Sequence, residues 1–113
     1  MTPDLQQSID RLYHIAGLQD NWDGQGAIPV SDKVIGRVFK ILPNLPMKPE
    51  MFPAVYDAIS LEFSYGDTEL DIEIYTENIE YYWNDGKEET QGFCTLSEMY
   101  EVIDAWWNTR GVL

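Results

Sequence analysis

The sequence predicts an α+β fold, with two N-terminal helices, an antiparallel sheet of three to four strands and a C-terminal helix packed on that sheet. Three observations carry this expectation. Apolar residues recur at helical spacing up to residue 42, alternate strictly between residues 59 and 83, and return to helical spacing after residue 95. The links between the alternating runs are short and carry Gly, Asp and Asn, which favours a meander of sequence-adjacent strands. Hydrophobic residues make up 44% of the 113 positions, enough for one core and too many for a disordered acidic tail.

Each element follows from local chemistry. Thr2-Pro3-Asp4 reads as a helix start, with Thr2 as cap, Pro3 at the first helical position and Asp4 complementing the dipole. Leu5, Ile9, Leu12 and Ala16 then form an apolar stripe, and Gly17 terminates it. Ser31 caps a second helix with Val34, Ile35, Val38, Phe39 and Leu42 on one face and Lys33, Arg37 and Lys40 on the other; Pro43 stops it. Residues 43–53, with four prolines, read as a connector within a single domain. In the strand region, Ile59, Leu61, Phe63 and Tyr65 alternate with Ser60, Glu62 and Ser64. Leu70, Ile72 and Ile74 alternate with Glu69, Asp71, Glu73 and Tyr75, and Ile79, Tyr81 and Trp83 with Asn78, Glu80 and Tyr82. Glu89–Cys94 supplies a further short strand, so the predicted sheet covers residues 54–94. Thr95-Leu96-Ser97-Glu98 fits a capping box, and Met99, Val102, Ile103 and Trp106 form the stripe of a helix over residues 95–110. Trp107, about 100° from Trp106 on that helix, is left for an interface or for covering the sheet edge.

Charge is distributed unevenly. The chain has 20 acidic and 7 basic side chains and a net charge of −13. Residues 1–42 and the connector are nearly neutral, because the first 49 residues hold five acids and five bases. Residues 50–113 hold fifteen acids against Lys87 and Arg110, and so carry the whole excess. A surface of that sign disfavours direct contact with a nucleic-acid backbone. No apolar run reaches the roughly 18 residues of a membrane span and no signal-peptide layout is present, so a cytoplasmic location, in a bacterial host cell, is expected. The single cysteine, Cys94, excludes an internal disulfide and a cysteine-based zinc cluster.

Between the first two helices lies Asn21-Trp22-Asp23-Gly24-Gln25-Gly26-Ala27-Ile28-Pro29. Its Asn and Asp side chains suit bonds to nearby backbone, its glycines permit positive φ, and Trp22 is expected to anchor it in the core. Asn21, Trp22, Asp23, Gly24 and Gly26 are therefore read as a structural turn. The segment resembles the signature of small bacterial and phage proteins with an Asn-Trp-Asp-Gly-x-Gly-Ala-x-Pro motif between two N-terminal helices. The resemblance implies a prokaryotic or phage origin and the same layout, and it implies no catalytic residue. As a calcium loop the segment lacks the alternate ligands and closing glutamate, and as a phosphate loop it lacks a preceding strand, a third glycine and a lysine.

Few residues invite catalysis. His14 and Cys94 are the only histidine and thiol, and nothing in the sequence brings them together as a nucleophilic pair. Carboxylates are the richer resource. Alternate strand residues stand about 6.6–7 Å apart, so Glu69, Asp71 and Glu73 form a row on the wet face, with Glu62 and Glu80 on neighbouring strands. Tyr75 and Tyr82 add aromatic anchors of the kind enriched at interfaces. Such a row approaches the spacing of successive phosphates, whereas a hydrolase would need carboxylates that converge in a cleft, and an open row is expected to diverge. The expectation is a non-enzymatic protein, with no cofactor and no metal, that docks as monomer or homodimer onto a basic protein surface through Glu62, Glu69, Asp71, Glu73, Tyr75, Glu80 and Tyr82. By charge and size it is similar to acidic phage inhibitors of host defence, of the anti-CRISPR or DNA-mimic kind. The alternatives are an antitoxin or immunity protein neutralising a basic nuclease and, behind it, a small carboxylate- or metal-dependent hydrolase.

Overall fold

The computed structural model describes residues 3–109. Thr2 and Arg110 lie outside them, as do the side chains of Pro3 and Asp4. The chain runs α1 (Pro3–Ala16), α2 (Asp32–Ile41), β1 (Glu50–Ala54), β2 (Ala58–Tyr65), β3 (Thr68–Ile74), β4 (Ile79–Asn84), β5 (Glu89–Cys94) and α3 (Leu96–Thr109). The strands form one antiparallel meander in sequence order. The architecture is α+β with the C-terminal helix on the sheet, as the periodicities predict, but the sheet has five strands and not three to four. The additional strand, β1, lies at the end of the stretch read as a connector. It carries Pro53, which cannot donate a ladder hydrogen bond and is tolerated because β1 is an edge strand.

All three helices lie against one sheet face. α1 touches β1, α2 touches β2 and β3, and α3 touches β3, β4 and β5. That face is built from Ile59, Leu61 and Phe63 paired with Ile74, Ile72 and Leu70, each fully buried. Burying an aliphatic or phenyl side chain of this size stabilises the fold by about 1.5–3 kcal/mol. Phe63 meets Trp106 of α3 at 5.6 Å between ring centroids, with the planes tilted by 51°. Both halves of the capping box form at the start of α3: the Glu98 N–H donates to Thr95 Oγ1 at 3.2 Å, and the Thr95 N–H to Glu98 Oε1 at 2.9 Å. Trp107 is partly buried against the core.

Two helical details differ from expectation. In α1, Ile15 joins the core while Ala16, the last helical residue, is exposed. In α2, Val34, Val38 and Ile41 form the buried stripe and Phe39 faces solvent, because Phe39 falls about 140° around the helix from Val34. A tight turn over Leu42–Asn44 follows α2 and buries Leu42. The basic face of α2 is engaged with the sheet: Arg37 donates to the carbonyls of Tyr75 and Asn78, and Lys33 pairs with Glu77. These contacts fasten the β3–β4 turn to the helical layer.

The loop between α1 and α2 closes on itself. Asn21 (φ 61°) donates its N–H to the Ala27 carbonyl at 2.7 Å and accepts the Gly26 N–H on its side-chain oxygen at 2.6 Å. Asp23 Oδ1 accepts the N–H groups of Gln25 at 2.8 Å and Ala27 at 3.0 Å. Gly24 and Gly26 take the positive φ that the closure requires. Trp22 is only half-buried and donates its ring N–H to the Ile28 carbonyl at 2.7 Å. It therefore ties the loop to itself, and the core contact expected of it is made by Ala27 and Val30.

Candidate functional site

With the helices on one side, no described residue outside the strands and their turns covers the opposite sheet face, and register decides what it presents. One row across the strands reads Glu50, Glu62, Asp71, Tyr82, Gln91. The next reads Phe52, Ser60, Glu73, Glu80, Phe93, and a third Ser64, Glu69, Asn84, Glu89. Seven carboxylates stand on these rows, with neither Lys nor Arg among them. Phe93, 71% exposed, and Phe52, 40% exposed, sit at the two ends of the middle row.

All seven residues singled out from the sequence fall on this face, Tyr75 just beyond the end of β3 beside Glu73. Glu50, Phe52, Glu89, Phe93 and Tyr56 share it and escaped the sequence reading. Glu50 and Phe52 were hidden by the prolines around β1. Glu89 and Phe93 were legible in principle, since they alternate with Thr90 and Cys94 along the last strand. Tyr56, in the β1–β2 turn, stacks on Tyr75 with centroids 5.7 Å apart and planes at 15°. Its hydroxyl donates to Glu73 Oε2 at 3.1 Å, and the Tyr75 hydroxyl donates to the same oxygen. Two phenols thus hold one carboxylate in place. Burial, followed by the Glu73 contact, keeps the Tyr75 phenol well above its ordinary value.

Across β2 and β3 the carboxylates do converge, contrary to the expectation that a row on an open sheet diverges. Glu62, Glu69 and Asp71 each place an oxygen within 4.8 Å of the others, because Glu62 pairs directly with Asp71 and Glu69 lies two residues along β3. Like charges so placed repel. Asp71 shows the consequence: burial first, and then the negative charges of Glu69 and Glu62, push its carboxyl up to about 7. Its Oδ1 is buried without a hydrogen-bond partner. Glu62 is also raised, by burial and then by Glu69 and Glu50. Beside them, Glu89 holds the Tyr82 phenol above its ordinary value. The sequence suggested no metal ligands; this triad is a group of oxygens that a hard cation or a guanidinium would suit.

The other chemical candidates do not assemble. His14 is exposed on α1, whose contacts are with α2, the turn after it and β1, whereas Cys94 ends β5 under α3. Burial and then Glu98 push the Cys94 thiol up, away from the nucleophilic thiolate. Asp23, the acid of the signature loop, has the opposite environment from Asp71: the N–H groups of Gln25 and Ala27 hold its carboxyl below the usual range.

Against known proteins, the chain matches no family model, no curated protein and no solved structure. Among the described residues, no helix is long and apolar enough to cross a membrane.

Proposed function

We propose that this protein is a non-enzymatic inhibitor whose uncovered sheet face docks onto the basic, nucleic-acid-binding surface of another protein, in the manner of phage proteins that block host defence. One observation carries the reading: the open face holds seven carboxylates and no basic side chain, with exposed aromatic residues at both ends of its middle row. Acid clustering raises the cost of the free face, and a basic partner removes that cost by supplying the missing charge. Phe52, Phe93 and Tyr82 are the residue types that anchor interfaces. Glu73, held by Tyr56 and Tyr75, is pre-organised for an incoming arginine. The signature loop, by its resemblance, agrees with a prokaryotic or phage setting and plays a structural part.

The test compares two triple charge reversals of equal net charge. Glu69, Glu73 and Glu80 are changed to Lys on the face; Asp20, Glu101 and Asp104, exposed elsewhere, are changed to Lys in the control. Partner capture from a bacterial extract is then measured at low and high salt, with DNA as competitor. The face variant is expected to lose capture through an association rate lowered roughly 10- to 100-fold, while the control keeps most of it. DNA is expected to displace the protein from its partner. Equal loss in both variants, or capture indifferent to salt, overturns the reading. If the captured protein is a toxin nuclease, the same surface serves an immunity role.

A further inference from the structure

Away from the acidic face, the seam between α1 and the proline-rich segment contains a groove of ≈ 370 Å³. Arg11 and Lys48 line it together with Gln7, Ser8, Met51 and Phe52. It adjoins, across the shared residues Ser8, Lys48 and Pro49, a second hollow of ≈ 360 Å³ lined also by Leu5, Leu42, Leu45 and Met47. One end of the combined groove is cationic and the other aliphatic.

Among the described residues neither cation has an acidic partner, in a chain that has 20 acids to 7 bases. Arg11 donates Nε to the Met51 carbonyl at 3.0 Å, and its guanidinium lies 6.0 Å from the centre of the Phe52 ring. That bond fixes the guanidinium and leaves its terminal N–H groups for another acceptor. Lys48 donates to Gln7 Oε1 at 2.9 Å. The Lys33–Glu77 contact is the ion pair among the described residues, and it lies elsewhere. Between the two hollows sits Ser8, only 4% exposed, with Oγ lacking any hydrogen-bond partner. A buried hydroxyl left unpaired costs stability, and here it lines the place where the cationic and aliphatic ends meet.

We infer that this groove binds a small amphiphilic carboxylate. The head group bonds the Arg11 guanidinium and Lys48 Nζ and accepts the Ser8 hydroxyl, and the hydrocarbon tail runs along Leu5, Leu42, Leu45 and Met47. A carboxylate matches the planar guanidinium fork and carries a single charge. A phosphate dianion is disfavoured by Glu50, which also lines the cationic end. The volumes fall in the range of small-molecule sites, about 300–1,000 Å³. The inference is independent of the acidic-face reading, because the groove shares with that face only the edge residues Glu50 and Phe52.

The experiment titrates the full chain with decanoate below its micellar concentration, and in parallel with 1-decanol and with inorganic phosphate, by calorimetry and by NMR shifts of the α1 amides. Decanoate is expected to bind saturably at one site, with the alcohol and phosphate each roughly tenfold or more weaker. Lys48→Gln and Arg11→Gln are each expected to weaken decanoate roughly 10- to 100-fold, the range of a charge-assisted hydrogen bond. Arg11→Gln also releases the Met51 carbonyl, so Lys48→Gln, at an exposed side chain, is the decisive variant should the other fail to fold. Ser8→Ala is expected to raise the Tm of the ligand-free protein while weakening decanoate, a pair of effects that a purely structural serine would not show together. Equal affinity for decanoate and decanol, tighter binding of phosphate, affinity unmoved by Lys48→Gln, or no saturable binding would each overturn the inference.

Discussion

Asp23 and Asp71 are the same residue in opposite environments, and the contrast separates two uses of acid in this molecule. Asp23 receives two backbone N–H groups within its own loop, and its carboxyl is held low. Its charge is satisfied locally and serves to close a turn. Asp71 stands among Glu62, Glu69 and Glu73, has a buried oxygen with no donor, and is pushed up to about 7. Its charge is unsatisfied within the chain. A carboxylate completed by its neighbours closes a turn, whereas one opposed by them costs stability, a cost that the proposed docking onto a basic surface would relieve.

Substitutions on β3 and in the α1–α2 loop test that contrast. The largest effect sets its scale and comes from the other side of β3: Ile72→Ala, next to Asp71 but buried against the helices, is expected to lose about 2–5 kcal/mol in denaturant unfolding. Asp23→Ala should lower Tm by leaving the Gln25 and Ala27 N–H groups without their acceptor. A Tm unchanged by that substitution would remove the structural half of the comparison.

Asp71→Asn has the opposite expected sign. At about pH 8 it should stabilise the protein by roughly 1–2 kcal/mol, a figure already reduced for solvent screening of a partly exposed group. Because the folded-state pKa of Asp71 is raised, its favourable contribution is complete below its unfolded value near 4. That contribution is lost as pH rises through about 7. The gain from Asp71→Asn should accordingly vanish at about pH 4. For Asp23 the slope reverses: its contribution is present above the unfolded value and lost as pH falls through the lowered folded one. Urea titrations at several pH values separate the two.

The smallest effect is on binding. A basic partner favours ionised Asp71, so docking should release a proton and be a few-fold tighter at about pH 8 than at about pH 6. Calorimetry in buffers of different ionisation enthalpy reads this directly. Proton uptake on binding would contradict a cationic partner at Asp71.

The extent to which the sequence reveals this arrangement varies by element. The alternation of Leu61 with Glu62 and of Ile72 with Asp71 and Glu73 assigns each residue to a face without knowledge of its neighbours, and short Gly-containing turns make the strands adjacent. β1 escaped because Pro49 and Pro53 mask the alternation of Met51 and Phe52, which is recognisable only once β2 offers an edge to pair with. Ser8 escaped because a small polar residue at helical spacing gives no sign of being covered. Turn chemistry in the sequence points to Asn and Asp side chains bonding nearby backbone, but not to the Asn21–Ala27 backbone closure or to Trp22 turning back to its own loop.

Local sequence sorts the side chains: period, caps and turns act between near neighbours and decide which residues share a face. Proximity across strands and layers comes from the assembled fold. Glu62, Glu69 and Asp71 meet because the β2–β3 register aligns them, and Arg11 and Lys48 line one groove because α1 packs against β1. The reason is physical: burial and electrostatic repulsion depend on through-space distance, and that distance exists only after the chain has closed its long-range contacts.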